Sequence, residues 1–155
     1  MSESENHSSI APNPNPNPSW SQDHPRHPGF LIHGTDNTPG PKAYYIHLEA
    51  KPGKEHLLEA FLRDINDGVN QEPLTGPWFA LRYSQTTFCI FEAFPSNEGR
   101  NDHNGGPGGR NFLRSELLKD MLAYPAQLYR LDVLHGKFGV MLGEPVQPVR
   151  ERSHL

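Results

Sequence analysis

Residues 78–94 read Trp78-Phe79-Ala80-Leu81-Arg82-Tyr83-Ser84-Gln85-Thr86-Thr87-Phe88-Cys89-Ile90-Phe91-Glu92-Ala93-Phe94. This predicts two strands, 78–83 and 86–94, joined by a tight hairpin at Ser84-Gln85. Alternation puts Trp78, Ala80 and Arg82 on one face of the first strand and Phe79, Leu81 and Tyr83 on the other. The second strand sets Phe88, Ile90, Glu92 and Phe94 against Thr87, Cys89, Phe91 and Ala93. Both faces are apolar enough to be covered, so one should meet helices and the other a second subunit.

Upstream, Tyr44, Ile46, Leu48 and Ala50 alternate with Tyr45, His47 and Glu49, a period-2 strand over 43–50. Lys51-Pro52-Gly53-Lys54 turns into a helix whose Leu57, Leu58, Phe61, Leu62, Ile65 and Val69 share one stripe. Glu72-Pro73 and Gly76-Pro77 end it. Downstream, Ser96-Asn97 opens a short helical turn ending near His103. Asn104-Gly105-Gly106-Pro107-Gly108-Gly109 reads as a flexible loop by composition. It lacks the Lys-Ser/Thr pair of a phosphate-cradling loop. A second amphipathic helix carries Phe112, Leu113, Leu117, Leu118, Met121 and Leu122, and Ala126 to Leu134 makes the last strand. The predicted fold class is α+β: a ferredoxin-like βαββαβ domain, four antiparallel strands with both helices on one face.

The chain has 155 residues, the size of one domain. Within 1–42 the apolar side chains are Met1, Ile10, Ala11, Trp20, Phe30, Leu31 and Ile32, and the run Pro12-Asn13-Pro14-Asn15-Pro16-Asn17-Pro18 is low in complexity. Residues 1–42 therefore read as a disordered Pro/Asn-rich leader, 43–137 as the folded domain, and 138–155 as a tail of uncertain order. The net charge of −4 has no basic run, which argues against nucleic acid or an anionic membrane as partner. No apolar stretch is long enough to span a bilayer, and the N-terminus lacks a signal peptide's pattern. The single cysteine, Cys89, allows no internal disulfide and no Cys-cluster zinc site, and a reducing, cytoplasmic setting fits best.

Four segments in order resemble a known family: Ala50-Lys51-Pro52-Gly53-Lys54-Glu55, then Trp78 to Arg82 with Thr87 to Pro95, then Asn97-Glu98-Gly99-Arg100-Asn101-Asp102-His103, then Leu131-Asp132-Val133-Leu134. Together they are similar to the antibiotic-biosynthesis-monooxygenase, or quinol-monooxygenase-like, domain. The resemblance implies a homodimeric α/β barrel and a cofactor-free oxidation of a quinol, anthrone or polyketide-like aromatic by dioxygen, with neither metal nor flavin. Two alternatives stay open: a non-catalytic dimeric α/β barrel that binds a small ligand or serves as an accessory protein, and a cyclase or isomerase on the same scaffold. Haem-degrading relatives pair their helix histidine with an asparagine on the first strand and a tryptophan at the end of the third. This chain has no asparagine on the first strand, and its third strand ends in Phe94, so His103 alone does not make a haem site.

Cofactor-free oxygenation needs a base, a group to hold an anion, and a dry aromatic cavity. His103 falls at the family's helix-end histidine and has the native pKa range of a base. His47, beside Tyr45 and Glu49, is the second candidate base. Tyr45, Trp78, Arg82, Phe88 and Glu92 are the expected substrate-binding residues, with Arg82 and Glu92 forming a cross-strand ion pair that could hold a phenolate.

Overall fold

The computed structural model describes residues 29–34 and 39–137. The Pro-Asn run and the tail 138–155 lie outside the described residues. In chain order the elements are β1 (Phe30–His33), β2 (Lys42–Glu49), α1 (Glu55–Val69), β3 (Trp78–Arg82), β4 (Thr87–Phe94), α2 (Asn97–Gly105), a 3₁₀ turn (Gly109–Leu113), α3 (Ser115–Met121) and β5 (Ala126–Asp132). The expected βαββαβ order is present, with two additions.

The first addition is β1. The sheet has five strands in the order β1-β5-β2-β4-β3, and β1 runs parallel to β5, with Phe30 opposite Ala126 and Ile32 opposite Leu128. The sheet is therefore mixed, not a four-stranded antiparallel one. The strand falls inside the stretch expected to be a leader, because Phe30-Leu31-Ile32 is its one continuous apolar run. A strand of four residues carries too little periodicity to stand out. The second addition is a break in the second helix, which is split into the 3₁₀ turn and α3 at Arg114.

Alternation settles the two faces of the sheet. Tyr44 faces Glu92, Ile46 faces Ile90 and Leu48 faces Phe88 across β2 and β4. This is the helix-covered side. Leu58, Phe61 and Ile65 of α1 meet Leu118, Met121 and Leu122 there, all at most 1% exposed. Each such side chain contributes roughly 1.5–3 kcal/mol by leaving water. The other face carries Tyr45 (36% exposed), Phe79 (49%), Leu81 (47%) and Phe91 (36%). No helix among the described residues is long and apolar enough to cross a membrane.

α2 differs from the other helices in having almost no apolar side chains; Gly99, Arg100 and His103 are its buried residues. Its start is fixed by Ser96, whose Oγ accepts the Gly99 N–H at 3.2 Å. Ser96→Ala should cost about 1 kcal/mol of stability, read as a shift in the denaturant midpoint at unchanged slope.

The glycine-rich segment is packed, not loose. A Cβ on Gly68 of α1 would lie 2.5 Å from the backbone of Pro107 and Gly108, and one on Gly108 would lie 2.7 Å from Val69. Glycines at both places let α1 and the 104–109 segment touch backbone to backbone. Composition predicts the glycines and misses what they allow.

Candidate functional site

The site is built on a row of side chains that crosses the sheet in register. Arg130 on β5 pairs with Tyr44 on β2, Tyr44 with Glu92 on β4, and Glu92 with Trp78 on β3. All four project to the helix-covered side. Above the row, the last turn of α2 lowers His103 onto the sheet, where its ring is tilted against Phe94 at 5.2 Å between centroids.

His103 is held by two carboxylates at once. Its Nδ1 donates to Glu72 Oε1 at 2.5 Å. Its Nε2 lies 3.2 Å from Glu92 Oε2, an ion-pair contact whose direction leaves that oxygen without a hydrogen-bond donor among the described residues. The side chains of His103, Glu72 and Glu92 are 6%, 8% and 1% exposed. Glu72 is itself anchored, accepting the Gly108 N–H at 2.7 Å and the Thr75 hydroxyl at 2.9 Å. Here the glycine segment has its function: the backbone of Gly108 can reach the carboxylate only because no side chain intervenes.

Burial alone would push the His103 pKa down. The charge of Glu92 and the hydrogen bond to Glu72 outweigh it and push the pKa up to about 10. At neutral pH the ring is an imidazolium. For Glu72, burial pushes upward, but the His103 hydrogen bond and charge, with the Gly108 N–H, hold the carboxyl below its usual range. The expectation that His103 titrates in the ordinary histidine range is therefore corrected. Its two carboxylate neighbours keep it charged, and it has no vacant nitrogen with which to take a proton.

Glu92 and His103 form one wall of a cavity of about 290 Å³ between the sheet and the helices. Tyr44, Ile46, Phe112, Leu128 and Arg130 line it, and β1 closes one side with Phe30 and Ile32. Tyr44 donates its hydroxyl to Asn104 Oδ1 at 3.0 Å, and Arg130 Nη2 donates to the Gly34 carbonyl. The cavity thus has a mixed lining, apolar on the side of Phe30, Ile32, Ile46, Phe112 and Leu128 and polar at Glu92, His103, Asn104 and Arg130.

The other expected residues lie elsewhere. Arg82 is not paired with Glu92: register places it opposite Phe88, its guanidinium sits over the Phe88 ring at 4.6 Å, and its ion pair is with Glu59 at 2.9 Å. Four residues along a strand are about 13 Å apart, so one strand cannot bring both groups to one ligand. Trp78, Arg82 and Phe88 line an open groove between α1 and β3. Tyr45 and His47 project to the uncovered face. His47 Nε2 lies 3.1 Å from the Tyr124 hydroxyl, with the two rings stacked, and burial pushes its pKa down. Of the expected residues, the structure brings together Glu92 and His103. Glu72, Tyr44, Asn104 and Arg130 were missed. Glu72 reads in sequence only as a helix end before Pro73, 31 residues from its partner. No group of three His, Cys, Asp or Glu side chains among the described residues could hold a metal ion.

Solved structures share the overall fold. A protein of unknown function from Nitrosomonas europaea is 31% identical, with a TM-score of 0.58, over 64% of this chain and 94% of its own. The two belong to one family. A Mycobacterium tuberculosis protein matches at 18% identity and a TM-score of 0.56, over 63% of this chain and 98% of that one. An antibiotic biosynthesis monooxygenase matches at 14% identity and 0.53, over 61% and 99%. The chain shares the fold of this monooxygenase. No family model and no curated protein matches the chain. At 14–18% identity the shared property is the fold of the monooxygenase-like domain, and its chemistry has to be argued from the site.

Proposed function

We propose that the domain is a cofactor-free monooxygenase of a hydroxylated aromatic compound of the quinol or anthrone type. The observation that carries this reading is Glu92: a buried carboxylate at the wall of the cavity, whose Oε2 has an ion-pair contact with His103 but no hydrogen bond among the described residues. A substrate hydroxyl placed there would give this oxygen the hydrogen bond it lacks, and an acidic C–H would meet a base.

The chemistry follows from the charges. Free, the site holds two carboxylates and one imidazolium. Glu92 takes a proton from the substrate and becomes a neutral acid that donates back to the new anion. The net buried charge does not change, and the His103 imidazolium balances an anion in place of a carboxylate. The electron-rich anion then reduces dioxygen, and the two combine at carbon. Glu92 returns its proton as the O–O bond breaks, so an anthrone methylene becomes a carbonyl and the second oxygen atom leaves as water. His103 is an electrostatic partner in this scheme, not the base.

Oxygen uptake measured with a panel of quinols and anthrones tests the reading. Uptake matched by quinone formation supports it. Isotope exchange at the acidic carbon without oxygen uptake would favour the cyclase or isomerase alternative.

We also propose that the domain acts as a homodimer through its uncovered face. The apolar row Tyr45, Phe79, Leu81 and Phe91 supports this, since leaving it in water costs about 25 cal/mol per Å². Sedimentation should give twice 17.5 kDa at micromolar concentration, and Leu81→Arg should halve the mass while the far-UV spectrum is kept. A wild-type monomer would remove the proposal.

A further inference from the structure

Strand β1 is an addition to the four-stranded core, and it walls the cavity. Phe30 is 6% exposed. Its ring sits 4.2 Å from that of Phe112, which packs edge-on to Phe61 at 5.1 Å, so its position is fixed from behind. Ile32, opposite Leu128 in the parallel ladder, lines the same cavity. The end of β1 is tied to the reactive row, because the Gly34 carbonyl accepts from Arg130. Gly34 has φ +91°, and a Cβ there would lie 2.6 Å from the Arg130 carbonyl oxygen, so β1 sits against β5 with no room for a side chain between them. Glu92 lies at one end of the cavity and Phe30 and Ile32 on another side. A flat ligand hydrogen-bonded to Glu92 is limited in size by these two side chains.

We propose that β1, through Phe30 and Ile32, is the size-selecting wall of the cavity, limiting the occupant to a small fused-ring hydroxy-aromatic compound anchored at Glu92. The hydroxy-aromatic class rests on the function proposed above; the wall does not require turnover. At about 290 Å³ the cavity is at the lower end of ligand sites, which run from about 300 to 1,000 Å³. Rings added to the ligand must meet packed side chains whose displacement is costly. Truncating Phe30 opens the space of a phenyl ring, and truncating Ile32 opens less.

Binding of 2-naphthol and 2-hydroxyanthracene to the full-length protein, followed by ligand fluorescence, tests the wall without any catalytic assay. Wild type should prefer the two-ring probe. Phe30→Ala should shift the ratio of dissociation constants toward the three-ring probe by at least tenfold, and Ile32→Ala should shift it the same way by less. If Phe30→Ala does not unfold cooperatively, Ile32→Ala decides, since Ile32 is only partly buried. An unchanged ratio in a folded variant, or no binding of either probe to wild type, would overturn the wall. 2-Methoxynaphthalene, which lacks the donor, should bind at least tenfold more weakly than 2-naphthol, and Glu92→Leu, which removes the acceptor, should abolish that difference. A shifted ratio with no oxygen uptake on any quinol would leave the wall standing and the oxygenase reading refuted.

Discussion

Glu92→Gln is expected to lower kcat for oxygen uptake by about 10²–10⁴-fold with little loss of fold. The amide keeps the shape of the side chain but cannot take the substrate proton. It also removes one of the two negative charges facing His103, and the His103–Glu72 contact at 2.5 Å remains. Substrate binding should change far less than turnover, because the glutamine oxygen still accepts a hydroxyl. The pH profile separates this from catalysis by the histidine. With the His103 pKa pushed up to about 10, wild-type kcat should have no limb in the ordinary histidine range. It should fall as pH rises through about 10, where the imidazolium is lost. A limb near pH 6.5 that vanishes in His103→Ala would return the base to the ring.

His103→Ala carries the second large effect, and it falls on stability. Removing the ring leaves Glu92, 1% exposed, without its counter-charge, and breaking a buried pair costs about 3–5 kcal/mol. The effect has a definite pH window. A group whose pKa is raised on folding, here from 6.5 to about 10, stabilises the protein fully below its unfolded pKa. That contribution declines as pH rises and is gone above about 10. Glu72, lowered from 4.5, works in the opposite sense: its contribution is present above the usual carboxylate range and lost as pH falls. The wild type should therefore be most stable between about pH 4.5 and 6.5 and lose stability from 6.5 to 10. In His103→Ala the upper limb should be absent, so the two proteins converge toward pH 10. Parallel urea midpoints across that range would count against the imidazolium.

The periodicities at 43–50, 57–69 and 78–94 gave the core of the fold directly, because strand alternation and a helical stripe are local properties. The site was legible only where one residue carried its own signal. Glu92, a carboxylate on an otherwise apolar strand face, declared itself, and so did His103 at its helix end. Glu72 could not, since its role depends on Gly68 and Gly108 bringing two segments into backbone contact, and each glycine alone reads as a loop or a helix defect. Alternation separated Tyr44 from Tyr45 without saying which face the helices would cover, and it is Tyr44 that lies on the covered side. Arg82 and Glu92 looked like partners because both are charged and mid-strand; the register sets them four residues apart.

The parallel β1–β5 pair also fixes an order of events. Its partners are about 96 residues apart, and closing a loop of that length costs on the order of 4 kcal/mol in chain entropy before any contact compensates. The β3–β4 hairpin pays almost none of that cost. On the ribosome, Phe30 and Ile32 are made early and must wait until Ala126 to Asp132 have emerged. The cavity is thus sealed by the first and last strands of the domain meeting, and it exists only once the rest of the sheet is in place.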